Sequence, residues 1–362
     1  MKRTKAPSLA ALAALPIVLT TFWTILPQPL AAQDRPRGLK SDWTFSVGAL
    51  VENNPFRLSD GEQAGFDPDA PGNLNMQSVS DVGSVVGIEA EFRTRRNNGR
   101  RSRFGVEVEA GVYGRNAART SFAFDAFYAF EFSKRDEIKI DAAIDPGEFR
   151  KTYLVGYDGG GAPEFAAGDV SRRTVSLGYS RELLDARSFG ADLTLEGRRR
   201  WRTVGGMTWR DRVETGGEAE LALKLGKPLD LDLSVDWRVA DHEGTPEPFN
   251  GLMVALNRDF SAWSYGATLG LDLSKSLKTY FDYELRERRF DALVGEDDRY
   301  GGRVDHRHDL GIRMRVEASK LVDVWLGGEF RLQNSMRPAF GSDIFEADYR
   351  QGSAFLRIEY SR

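Results

Sequence analysis

The chain has 362 residues, of which 41% are apolar and 29% charged, with a net charge of −4 and no cysteine. So small a net charge gives no support to nucleic-acid binding, and without cysteine there is neither a disulfide framework nor a lipoprotein acylation site. The mean hydropathy of −0.43 suits a soluble protein, but a membrane barrel averages the same, because polar lumen residues alternate with apolar lipid-facing ones.

At the N-terminus, Lys2, Arg3 and Lys5 precede an apolar run from Leu9 to Trp23 that Pro16 interrupts. Pro27 and Pro29 lead into Ala31-Ala32-Gln33. This is the layout of a secretory signal peptide, expected over 1–32 with cleavage after Ala32. The apolar run falls short of the ~20 residues of a spanning helix.

Beyond it the dominant signal is alternation of period two, in which residues i, i+2 and i+4 share one face of a strand. Trp43, Phe45, Val47, Ala49 and Val51 alternate with Asp42, Thr44, Ser46, Gly48 and Leu50. Val82, Val86, Ile88, Ala90 and Phe92 are offset from Asp81, Gly87, Glu89 and Glu91. Phe104, Val106, Val108, Ala110 and Val112 are offset from Gly105, Glu107, Glu109 and Gly111. The same pattern runs through 121–132, 137–145, 172–180, 188–201, 213–225 and 229–239, then 262–273, 277–287, 308–317, 321–332 and 350–361. Helical spacing fits none of these as well. The segment 251–260 could add a strand but would reverse the order of the links after it, so it is assigned to a loop.

Short links alternate with longer ones, and four of the short links contain a small residue followed by lysine: Ser133-Lys134, Gly226-Lys227, Ser274-Lys275 and Ser319-Lys320. The expected fold is an all-β, transmembrane, antiparallel up-and-down β-barrel over 33–362, with about 14 strands, short periplasmic turns and long outer loops. Placing the strands in this order sorts the outward aromatics into two belts. Trp43, Phe92, Phe104, Phe132, Tyr179, Phe189 and Tyr360 fall at periplasmic ends, and Phe122, Trp201, Trp237, Trp263, Tyr283 and Phe330 at outer ends. A closed wall follows from the solvent, since lipid offers a spanning sheet no hydrogen bonds for its edges.

The opposite face is expected to line the lumen. It carries Glu89, Glu91, Glu107, Glu109, Asp125, Glu196, Glu218, Asp236, Asp282 and Glu329, with Arg198, Arg200, Arg238, Arg313, Arg315 and Arg331. Charge at this density requires water, so the interior is expected to be wet, with a lean toward cations. Fourteen strands lie between barrels filled by their own side chains and those that hold an open channel. Loops 53–79 and 146–171 are the candidates to constrict it. Only roughly ten residues separate the expected cleavage site from the first strand, so an N-terminal plug is not expected.

Together the signal peptide, the strand rhythm and the terminal run Ala354-Phe355-Leu356-Arg357-Ile358-Glu359-Tyr360-Ser361-Arg362 resemble the outer-membrane β-barrel porins of Gram-negative bacteria. Such barrels usually end in an aromatic residue preceded by alternating apolar positions. Leu356, Ile358 and Tyr360 fit the alternation, whereas the last residue is Arg362. The resemblance is architectural and specifies no solute. It implies the barrel insertion machinery, membrane lipid and lipopolysaccharide as partners.

Sharper motifs carry less. His306 and His308 share a face, but two ligands fall short of the three or four of a zinc or copper site, and no metal or cofactor is expected. Asp297-Asp298, Asp305-His306 and Asp241-His242 offer the carboxylate–imidazole pairs of an omptin-like outer-loop hydrolase. Ser171 and Ser261 lie near outer mouths without a paired histidine. Asp67, Asp69 and Asn73 offer oxygens to calcium, and a turn explains them equally well. Gly159-Gly160-Gly161 lacks the lysine of a phosphate loop. In Arg198-Arg199-Arg200-Trp201-Arg202, Arg199 and Arg202 are assigned to lipopolysaccharide phosphates beside Trp201. The expected function is a porin-like passage for small hydrophilic solutes, without catalysis. The alternatives are a non-conducting structural, binding or polysaccharide-export barrel, and the omptin-like hydrolase.

Overall fold

The computed structural model describes residues 39–70, 73, 76–95, 100–157, 163–186, 189–205, 207, 210–242, 247–249, 252–254, 256–293, 300–336 and 348–362. The expected signal peptide, Asp297-Asp298 and Gly159-Gly160-Gly161 lie outside these. The strands are β1 (Lys40–Asn53), β2 (Ser80–Arg95), β3 (Arg101–Tyr113), β4 (Ser121–Glu131), β5 (Asp136–Tyr157), β6 (Pro163–Ala186), β7 (Phe189–Val204), β8 (Arg212–Leu225) and β9 (Leu229–His242). They continue as β10 (Glu247–Phe249), β11 (Leu252–Val254), β12 (Phe260–Asp272), β13 (Leu277–Phe290), β14 (Val304–Ser319), β15 (Val322–Met336) and β16 (Tyr349–Ser361).

Fourteen of these strands close into one antiparallel barrel, each beside its neighbour in sequence, and β10–β11 stand apart as a two-stranded hairpin. The hairpin accounts for the ambiguous segment 251–260. Part of that segment is extended, but it pairs with 247–249 and not with the wall. Closure is made by β1 and β16, in register from Thr44↔Ser361 to Asn53↔Gly352. Beyond the last paired residues, Trp43 and Arg362 exchange two backbone hydrogen bonds of 2.9 and 2.8 Å. The C-terminal run is therefore the strand that removes the last free edge.

The small-residue-plus-lysine links are tight turns with a shared local cause. In three of them a serine hydroxyl accepts the backbone N–H two residues on: Arg135 to Ser133, Ser276 to Ser274 and Leu321 to Ser319. This side-chain mimic of a backbone turn reverses the chain in few residues. The fourth uses Gly226 at φ +85°. At the other end the links are longer, although the wall extends into some of the expected loops. Most of the expected loop 146–171 is strand, because β5 and β6 stay paired from Asp145↔Arg172 to Tyr157↔Pro163 across three register shifts.

Alternation sorts the wall into two faces. Val47, Val86, Leu177, Leu233, Ile312 and Ile358 are 41–57% exposed on the outer surface. Rings mark both edges of this apolar band. At the turn end Trp43, Phe92 and Phe104 form a chain with centroids 6.0 and 6.4 Å apart, and Phe132 stacks on Tyr179 at 6.2 Å. At the loop end Trp201, Trp237, Trp263, Tyr283 and Phe330 are exposed on the same outer face. Tyr360 and Phe189 complete the turn-end belt.

Charge placed on this outer face should be costly in proportion to its depth. Ile312→Arg, at mid-strand, is expected to destabilise the barrel by about 2–4 kcal/mol in lipid, against about 0–1 kcal/mol for a cation near either belt. Denaturant titration in liposomes measures both.

Candidate functional site

The strand-to-strand register puts the expected lumen positions on one shared face of the wall, opposite the exposed apolar band. Glu89 pairs with Glu107 and Glu107 with Asp125, which places three carboxylates side by side across β2, β3 and β4. Glu196 pairs with Glu218 and Glu218 with Asp236, which forms a second acidic row on β7, β8 and β9. The second row is tied to arginine. Arg198 contacts the Asp236 carboxylate and lies 3.2 Å from Glu218, and Arg238 Nε is 3.4 Å from Asp236. The first row has no ion pair among the described residues, although Glu91 is held by Arg93 at 2.6 Å and Arg357 reaches to 3.9 Å from Glu109.

Further toward the loop end the balance reverses. One carboxylate, Glu214, serves Arg212 at 2.5 Å, Arg200 at 3.5 Å and Arg238 at 3.6 Å. Asp305 serves Arg303 at 2.7 Å and Arg288 at 3.8 Å, and Asp309 takes both Arg307 and Arg331 at 2.6 Å. Seven guanidiniums thus converge on three buried carboxylates, and Asp236, Glu284 and Glu329 give Arg238, Arg307 and Arg331 second partners, which still leaves arginines in excess just inside the loop-end mouth. Aromatic faces help to hold it, with Arg288 4.6 Å and Arg212 5.4 Å from the Phe260 centroid and Arg303 5.0 Å from that of Phe290.

Much of this layer lies where the sequence predicts a loop over 288–307. β13 and β14 run on to Phe290 and from Val304, so Arg288, Asp305 and Arg307 belong to the wall. The unbroken alternation of Arg286, Arg288 and Phe290 was the available signal. Inward aromatics were also missed, although the same parity places them. Tyr280 and Trp325 stack at 6.0 Å, with Arg313 over the Tyr280 ring and Arg315 over the Trp325 ring. Phe127 and Phe355 lie flat over Gly105 and Gly327, where a Cβ would come within 2.2 and 2.6 Å of the rings. Arg313 also grips Asp282 with two bonds of 2.7 and 2.8 Å, and Arg315 bonds Asp323 at 2.7 Å.

Two mouth loops pack against β5. Phe56, Leu58 and Met76 of the loop after β1 form a buried cluster with Phe149. The loop is latched by Asn54, which donates to Leu58 O and Arg350 O, and by Asn116 Oδ1, which accepts from Gln77 and Ser78. From the other direction along the wall, the β10–β11 hairpin also packs against β5. β1 and β9 each lie four strands from β5, so the two loops reach it from opposite sides.

The Asp–His pairs separate for a simple reason, since adjacent residues in a strand face opposite ways. Asp305 points inward to Arg303, while His306 faces outward, 3.3 Å from Glu287, and His308 bonds Tyr283. His242 is buried, 3.5 Å from Asp259 and not from Asp241. Asp67, Asp69 and Asn73 close a turn, with Asn73 donating to Asp67 O. Arg202 is corrected by the same parity. It shares the inward face of Arg198 and Arg200, whereas Arg199 is exposed outside, 5.4 Å from the Trp201 centroid. The outward cation beside Trp201 on the next strand is Arg173.

No family model and no curated protein matches the chain. Solved structures with a similar arrangement are outer-membrane barrel proteins. The outer membrane channel DcaP of Acinetobacter baumannii is 10% identical over 91% of this chain and 99% of its own, with a TM-score of 0.45. A loop-deletion mutant of OmpT, an outer membrane protein of Vibrio cholerae, is 9% identical over 90% and 100%, with a TM-score of 0.44. A bacterial polysaccharide outer membrane secretin is 9% identical over 88% and 97%, at 0.43. Scores of this size carry no inference about solute or mechanism.

Removing Glu214 would leave three neighbouring guanidiniums without their shared anion. Glu214→Gln is expected to cost about 3–5 kcal/mol. Glu329→Gln, whose carboxylate is half-exposed beside Arg331, should cost less than about 1 kcal/mol. Unfolding midpoints of the two variants in the same lipid test the difference.

Proposed function

We propose that the protein is a porin-like conduit of a Gram-negative outer membrane, through which small hydrophilic solutes pass passively. The reading is carried by one observation, a single closed wall that is apolar and ring-belted outside and densely charged inside. The outer face suits hydrocarbon and the inner face needs water. A wall of this kind has no use for its charge unless water and solutes occupy the lumen. The chemistry is selective passage, with no residue assigned to bond breaking.

The row of Glu89, Glu107 and Asp125, without an ion pair among the described residues, supports a preference for cations, as rings of carboxylates do in cation channels. In planar bilayers the protein should give ohmic steps with a cation-selective reversal potential in a salt gradient. Replacing all three by Gln or Asn should move that potential toward zero by half or more. Silence in the bilayer would overturn the channel reading in favour of a non-conducting barrel. The loops gathered on β5 are the feature that favours this second reading.

Lipopolysaccharide is the proposed lipid partner, with Arg199 and Arg173 beside Trp201 placed to meet its phosphates. Arg199→Gln with Arg173→Gln should at least halve the lipopolysaccharide that co-purifies with the barrel. An unchanged amount removes these contacts from the proposal.

A further inference from the structure

The two charge layers meet in one place. A cavity of about 690 Å³ runs along the inner wall from β7 to β16, with Arg238, Arg286 and Arg307 at its loop-end side and Glu220 and Asp232 at its turn-end side. Its volume is that of a small-molecule site, within the ~300–1,000 Å³ typical of ligand pockets. The two ends carry opposite net charge for different reasons. Toward the loops, Glu214 is shared by three arginines and Asp305 and Asp309 by two each, and the further contacts from Asp236, Glu284 and Glu329 do not match that number, so positive charge is left over. Toward the turns, Glu220 and Asp232 have no ion pair among the described residues. The nearest lysine, Lys278, is held by Asp230 and Asp272.

Arg238 and Asp232 lie six residues apart on one face of β9, about 20 Å along the strand at ~3.3 Å per residue. Opposite charges at that spacing, within one water-accessible cavity, select a ligand by charge order and not by net charge. An anion alone gains favourable charge only at the arginine end, and a cation alone only at the carboxylate end. Only a molecule with both groups meets two complementary fields.

We propose that the cavity is a bipolar solute site for short zwitterionic chains, such as peptides or amino-acid derivatives, held with the anionic group toward the loops and the cationic group toward the turns. This deepens the reading of the lumen as a passage, on which solute entry rests. An extended tetrapeptide covers roughly 13 Å of backbone, and its two end side chains supply the remaining reach.

The test uses the full barrel in detergent and titration calorimetry with three capped tetrapeptides of equal length. One carries glutamate at its first position and lysine at its last, one carries two glutamates, and one carries two lysines. The mixed peptide should bind at least tenfold more tightly than either control. Glu220→Gln with Asp232→Asn breaks no ion pair among the described residues, so the fold should persist, and the variant should lose that tenfold advantage without weakening the two-glutamate peptide. Equal binding of all three, or a two-lysine peptide as tight as the mixed one, would overturn the proposal. Binding is read without conduction, so the two proposals fail separately. A silent barrel that still discriminates loses the channel reading and keeps the site, whereas a conducting barrel that does not discriminate loses the site.

Discussion

A backbone amide has nowhere to turn in hydrocarbon, and that constraint decides most of this structure. Each N–H and C=O of the wall must find its partner on the next strand, so the sheet has to meet itself. Here the meeting is made by the first and last strands, ending in the reciprocal bonds between Trp43 and Arg362. Once the wall is closed, period-two alternation has only one meaning. Each residue faces either lipid or lumen, and the sequence must supply both surfaces from a single run of residues.

The lumen then poses the opposite problem. Charged side chains line it at high density, and those in narrow places must share counter-ions. The arrangement is uneven along the axis. Arginines outnumber carboxylates near the loops, where aromatic faces and shared acids hold them. Carboxylates dominate toward the turns, where Glu89, Glu107 and Asp125 have no ion pair among the described residues. An uneven arrangement of this kind gives the lumen an axial polarity, which a uniform mixture of the same residues would not.

The wall was legible in the sequence because lipid and water impose a repeat that no turn or loop disguises. Residues such as Ile312 and Arg313, or Trp237 and Arg238, declare their faces by parity alone. Strand ends were harder. The alternation through Arg286, Arg288 and Phe290 continues past the point where polar and glycine-rich residues suggest a loop, so the arginine layer was read too short. The β5–β6 extension was missed because its three register shifts break the repeat. Arg202 was misassigned although parity placed it, because proximity in sequence to Arg199 and Trp201 suggested a shared surface. Which charges pair was not legible at all, since Glu214 meets Arg200 and Arg238 only through the register of neighbouring strands.

The strict division into two faces also limits how such a chain can change length. One residue gained within a strand would turn every later side chain over, exporting arginines to the bilayer and burying valines in water. Drift in length is therefore confined to the links, or to places that absorb a single extra residue locally. The shifts on β5 at Asp145/Glu148 and beyond are such places, and they mark the rim as the part of this wall most open to evolutionary revision.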